Sequence, residues 1–132
     1  MSVNLAVGTK LPAVYTAMGR MLLAYLDDEQ LTEYLDRVPI RNLTNFSITD
    51  PLELRELLRR ASSEGWAVVD QELEIGVRSV AVPIHDHTGR VIAAINTSAH
   101  VSRVSLATLE AEFLPRLQQA ASAIDADLAL RR

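Results

Sequence analysis

The stretch Ser79-Val-Ala-Val-Pro-Ile-His-Asp-His-Thr-Gly-Arg-Val-Ile-Ala-Ala-Ile-Asn-Thr-Ser98 decides the fold. Two runs rich in small and β-branched residues flank Asp86-His-Thr-Gly89, a turn-forming tetrapeptide. The spacing predicts a hairpin with strands over Ser79 to Ile84 and Arg90 to Ser98. Successive side chains alternate faces along a strand. Arg90, Ile92, Ala94, Asn96 and Ser98 therefore share one face, and Val91, Ala93, Ile95 and Thr97 the other. Ser79 and Ala81 share a face of the partner strand. Pro83 has no N–H to give a ladder, so its strand is expected to be an edge, or bulged there.

Working outward, Trp66 to Val69 reads as a further strand, and Val3 to Val7, ended by Gly8, as a short one. Between them the period is helical. In Leu11 to Leu26, the residues Met18, Leu22, Leu23 and Leu26 share a helical face. Gly19 costs that helix about 1 kcal/mol against Ala and points to close approach of another element or a ligand. A second helix starts at Asp27 or Asp28 and carries Leu31, Tyr34 and Leu35 inward. Asp50-Pro-Leu-Glu53 opens a third, with Asp50 as N-cap and Pro51 at the first helical position. Leu54, Leu57, Leu58 and Ala61 are its buried stripe, and Gly65 its stop. Ser105 caps the last helix, which runs to about Leu128. Its inward positions are Leu109, Phe113, Leu117, Ala120 or Ala121, Ile124 and Leu128. Pro115 is expected to kink it. Strands clustered among helices indicate an α+β domain with helices packed on an antiparallel sheet.

Composition narrows the function. The 132 residues carry 13 basic and 17 acidic side chains, a net charge of −4. That length supports one domain with its own core. No cysteine is present, so there is no disulfide, thiol nucleophile or thiolate metal site. No apolar run nears the ~20 residues of a membrane span, and no signal-peptide pattern opens the chain. The basic residues are scattered, which makes this stretch a poor binder of duplex DNA by itself.

The catalytic inventory is thin. His85 and His87 flank Asp86 in the hairpin turn, and His100 lies beyond the hairpin. Nothing has the spacing of a zinc protease, a CxxC site or a nucleophile elbow. Asp70-Gln-Glu-Leu-Glu74 is an acidic run that reads as a solvated loop, or as a holder of a hard cation. Arg78 reads as the partner of a carboxylate, Asp70 or Glu72, or as a clamp for a ligand carboxylate. Two features suit a small ligand. Asn96 and Ser98 follow apolar positions on one hairpin face, although a half-solvated strand end has the same pattern. Thr16-Ala-Met-Gly19 opens a helix whose free N–H groups favour an anion.

These segments together resemble the C-terminal effector-binding domain of the IclR family of bacterial transcription factors. Three blocks carry the resemblance: Leu11-Pro-Ala-Val-Tyr-Thr-Ala-Met-Gly-Arg-Met-Leu-Leu-Ala24, Glu64-Gly-Trp-Ala-Val-Val-Asp-Gln-Glu-Leu-Glu-Ile-Gly-Val-Arg-Ser-Val-Ala-Val-Pro-Ile84 and Gly89-Arg-Val-Ile-Ala-Ala-Ile-Asn-Thr-Ser98. The second block looks like the subgroup that controls protocatechuate, 4-hydroxybenzoate and β-ketoadipate pathway genes.

The resemblance implies a GAF-like or profilin-like fold and a cytoplasmic regulator. It implies a small organic acid as effector, aromatic or dicarboxylic, self-association as a dimer or tetramer, and neither cofactor nor metal. The effector site it implies is Ala17, Met18, Asp70, Ser79, Asn96 and Ser98. Family members commonly have two acids where this chain has Val69 and Asp70, and some carry serine in place of Asn96. The family's opening strands are expected to precede Val3, and DNA contact is expected to reside in a winged helix-turn-helix outside these 132 residues. Two other readings compete: an enzyme using His85, Asp86 or His87 on a small acid, and a pure oligomerisation domain.

Overall fold

A computed structural model describes residues 7–131. The expected strand at Val3 to Val7 lies outside them except for Val7, which begins a turn with Gly8. A 3-10 turn, Ala13–Tyr15, leads into α1, Ala17–Ala24. Two more helices follow, α2 (Asp28–Arg37) and α3 (Pro51–Glu64). The strands are β1 (Ala67–Asp70), β2 (Val77–His85) and β3 (Val91–His100). The chain closes with α4 (Leu106–Thr108), a π turn (Leu109–Phe113) and α5 (Leu114–Ala129).

The helix boundaries follow local chemistry. Asp27 and Gln30 form a reciprocal capping box on α2. Asp50 Oδ1 accepts the Leu52 N–H at 3.0 Å, and Pro51 sits where no intrahelical N–H is required. Gly65 ends α3 in the left-handed conformation, φ 82°.

The three described strands form an antiparallel sheet in the order β1-β2-β3. In the hairpin, Ser79 lies opposite Ser98 and Pro83 opposite Ala94, with a bulge between Ile84 and His85. β2 is thus the middle strand, against the expectation that Pro83 marks an edge. The physical conflict is avoided locally. β1 pairs with β2 only from Arg78 to Ala81, so by Pro83 that side of β2 has no partner among the described residues to receive an N–H.

Helices cover both faces. On one face Ala17 and Met21 of α1 and Ala61 of α3 pack on Ala67, Val69 and Ala81. On the other, Leu109, Leu114 and Ala121 pack on Val80, Val82 and Ile84. A third cluster joins Val14, Tyr15 and Leu23 to Leu31 of α2 and Leu58 of α3. Leu22, expected on the shared face of α1, points outward.

The terminal helix keeps its expected inward face but is interrupted before Pro115. Pro115 cannot donate to the turn before it, and its ring would collide with the carbonyl four residues back. The backbone answers with a π turn, in which the Leu114 N–H reaches the Leu109 carbonyl five residues back. Leu109, Phe113, Leu117, Ala121 and Leu128 pack inward as expected, Leu114 joins them in the core, and Ile124 is left exposed.

Candidate functional site

The start of α1, the loop after β1 and the hairpin line one partly open cavity of about 220 Å³. This is below the ~300–1,000 Å³ usual for drug-sized ligands and suits a small metabolite. Its lining includes Ala17, Met18, Ser79, Asn96 and Ser98, five of the six expected site residues.

The helix start is shaped for an anion. Thr16 caps α1, its Oγ1 accepting the Gly19 N–H at 3.0 Å. The N–H groups of Ala17 and Met18 have no acceptor among the described residues. Gly19 explains how α1 begins so close to the preceding turn. A Cβ there would fall 2.3 Å from the Ala13 carbonyl oxygen. The close approach inferred from that glycine is therefore to backbone, not to ligand.

The hairpin wall is polar where it borders the cavity. Ser79 and Ser98, directly opposite in register, share a hydrogen bond of 2.7 Å between their hydroxyls. Asn96 Nδ2 donates to Ser98 Oγ at 3.3 Å. Leu11, Val69, Leu73 and Val77 supply apolar walls.

Asp70 does not line the cavity. Along β1, Val69 faces α1 and the cavity, and alternation turns Asp70 to the opposite side. There its Oδ1 accepts from Arg78 Nε at 3.1 Å, and Arg78 also donates to the Val104 carbonyl at 2.9 Å. Arg78 is a structural partner rather than a ligand clamp.

The acidic run divides three ways. Asp70 pairs with Arg78. Glu72 forms a buried two-pronged pair with Arg20 of α1 at 2.5 and 2.8 Å. Glu74 enters the cavity wall. The Glu72 Oε1 also accepts the Ile48 N–H at 3.2 Å, and Arg20 Nε donates to the Val14 carbonyl at 2.9 Å. The Ser47 hydroxyl donates to the Glu72 carbonyl at 2.7 Å, and that of Thr44 to the Gln71 carbonyl at 2.6 Å. This network ties the start of α1, the loop and the 44–48 segment together. Sequence reading missed the Arg20–Glu72 pair and the place of Glu74. Only the charged Arg20 amid apolar residues in α1 hinted at the former.

The histidines stand apart from the cavity lining. His85 is held by Asp125 of α5, whose carboxylate accepts its N–H at 2.7 Å and contacts its Nδ1 at 2.8 Å. Asp86 organises the turn: its carboxylate accepts from the Thr88 hydroxyl, the Thr88 N–H and the Arg90 N–H. These bonds, the hydroxyl's above all, hold its pKa below the ordinary 3.8. His100 Nδ1 pairs with Ser102, and its ring packs against Gly76.

Comparison with known proteins finds relatives over most of this chain. The chain is 51% identical over 116 residues to the Pca regulon regulatory protein of Pseudomonas putida, covering 88% of this chain and 40% of that protein. It is 38% identical over 118 residues to the Pca operon regulatory protein of Acinetobacter baylyi, covering 89% and 42%. It spans less than half the length of these curated relatives. Among solved structures, the inducer-binding domain of Acinetobacter PobR, a double mutant in complex with 3-hydroxybenzoic acid, superposes with a TM-score of 0.87. The identity is 32%, over 91% of this chain and 69% of that one. These proteins are transcriptional regulators, not enzymes. Residues 1–126 match the family described as bacterial transcriptional regulator IclR C-terminal, and the chain belongs to that family.

Proposed function

We propose that this domain senses a small organic acid, aromatic or dicarboxylic, and that the cavity at the start of α1 is where it binds. The observation that carries the reading is convergence. Two features separated by some 60 to 80 residues, the helix start at Ala17 and Met18 and the polar hairpin positions Ser79, Asn96 and Ser98, line one partly open cavity. The acid's carboxylate receives the unused N–H groups of Ala17 and Met18, aided by the positive end of the helix dipole. Ser79, Asn96 and Ser98 offer hydroxyl and amide groups to the rest of the molecule. Asp70 is left out of the site, and Val69 takes the wall position instead. That PobR's domain holds a hydroxybenzoate and that other relatives regulate Pca genes supports an aromatic-catabolic effector.

In the intact regulator, in the cytoplasm, the ligand acts by population shift. It binds one arrangement of a dimer or tetramer better than another and so biases the spacing of DNA-binding heads borne elsewhere in the parent protein. The described residues include no helix long and apolar enough to cross a membrane.

A thermal-shift panel of aromatic and dicarboxylic acids tests the reading. A ligand at 100 times its Kd stabilises by about 2.7 kcal/mol, a shift of several degrees. Ser98→Leu is expected to abolish the shift while leaving the unliganded melting temperature within a few degrees. A panel with no stabilising acid refutes sensing, and an unchanged shift in Ser98→Leu refutes the placement.

A further inference from the structure

We propose that Glu74 is a specificity-determining residue of the cavity, selecting acids that carry a hydroxyl away from their carboxylate. The proposal rests on the effector-binding reading above and assigns that site its selectivity. Among the described residues, Glu74 is the one carboxylate in the lining, which holds no Lys, Arg or His. No donor among them reaches its side chain, whereas Asp70 and Glu72 of the same run are both paired.

Its backbone is held in place. Gln71 takes a left-handed φ of 60°, and its Oε1 accepts the Gly76 N–H at 3.1 Å across the loop. The Glu74 carbonyl accepts the Val77 N–H, and Thr44, Ser47 and Arg20 clamp the residues just before it. Glu74 is thus held in the cavity wall by a fixed loop.

An ionised carboxylate accepts hydrogen bonds and donates none. An anionic ligand sharing the cavity meets a like charge there, and no cation among the described lining residues relieves it. The lowest-energy arrangement puts the ligand's carboxylate on the Ala17 and Met18 N–H groups and gives Glu74 a hydroxyl. That hydroxyl makes a charge-assisted bond, stronger than one between neutral groups. A ligand without the hydroxyl strips water from Glu74 and returns nothing. A dicarboxylate of similar length places its second charge against Glu74. The favoured class is therefore hydroxylated monocarboxylic acids, over both their unhydroxylated forms and dicarboxylates.

Calorimetric titration of this chain with 3-hydroxybenzoate, 4-hydroxybenzoate, benzoate and terephthalate tests it, in wild type, Glu74→Gln and Glu74→Leu. In wild type, the better hydroxybenzoate is expected to bind at least tenfold tighter than benzoate or terephthalate. Glu74→Leu should weaken that hydroxybenzoate at least tenfold while leaving benzoate unchanged or tighter. Glu74→Gln, which keeps shape and removes charge, should strengthen terephthalate relative to wild type. Equal wild-type affinities for hydroxylated and plain acids, or a Glu74→Leu loss shared equally by benzoate, overturn the selectivity while leaving sensing intact. Wild-type protein that binds none of these nor any other small acid overturns sensing itself, and the Glu74 proposal with it.

Discussion

Arg20 shows how much of this molecule turns on single residues. It is 3% exposed, and its carboxylate partner, Glu72, is 5% exposed. A buried ion pair adds little net stability over an apolar pair of similar volume, because desolvation offsets attraction. Removing one member alone strands a buried charge. Arg20→Met is therefore expected to cost about 3–5 kcal/mol in urea denaturation. The double variant Arg20→Met, Glu72→Leu should recover most of that loss, and failure to recover would mean the pair does more than neutralise itself. Its further bonds to the Val14 carbonyl and from the Ile48 N–H show where that extra would reside. Single positions also explain the limits of reading by residue type. Asp70 and Val69 are neighbours in sequence, yet strand alternation sends one to Arg78 and the other to the cavity.

At the scale of elements, the terminal helix shows one departure. The expected period puts Leu109, Phe113, Leu117, Ala120 or Ala121, Ile124 and Leu128 inward, and of these Ile124 alone has no inward place while Ala121 takes the shared one. After the π turn before Pro115, Leu114 and Asp125 also take the sheet side. Asp125 then meets the hairpin end at His85. Asp125→Ala removes two hydrogen bonds in a half-buried setting. It is expected to destabilise by about 1–3 kcal/mol, with the loss read from thermal melts. If the melting temperature is unchanged, the hairpin end is held to α5 by packing alone. The hairpin and α3 were, by contrast, legible in advance. The Asp86 turn and the Asp50-Pro51 start are satisfied by atoms within a few residues, so local sequence suffices to specify them.

At the scale of the whole molecule, α1 and α3 cover one sheet face and α5 the other, and the cavity belongs only to the first. Ligand binding should therefore protect one side. With a stabilising acid at saturation, hydrogen exchange is expected to slow at 16–20, 71–77 and 96–98 and to stay unchanged over α5. Equal slowing of α5 would place the ligand's influence in the whole core rather than the cavity.

What the sequence determined by itself was whatever depends on short range: caps, turn, alternation, the absence of cysteine, and the three blocks that resemble the IclR C-terminal domain. Those blocks also named five residues that share the cavity. Tertiary structure alone decided the partners of charges and the use of the acidic run. Arg20 and Glu72 are 52 residues apart, and no local rule pairs them. Asp70 and Glu72 could each have met either arginine. Which one each meets is set by how the sheet and α1 stack, because a charge taken out of water goes to whatever opposite charge packing brings within reach. Glu74 is left over by the same logic: among the described residues packing brings it no cation, only the wall of a cavity.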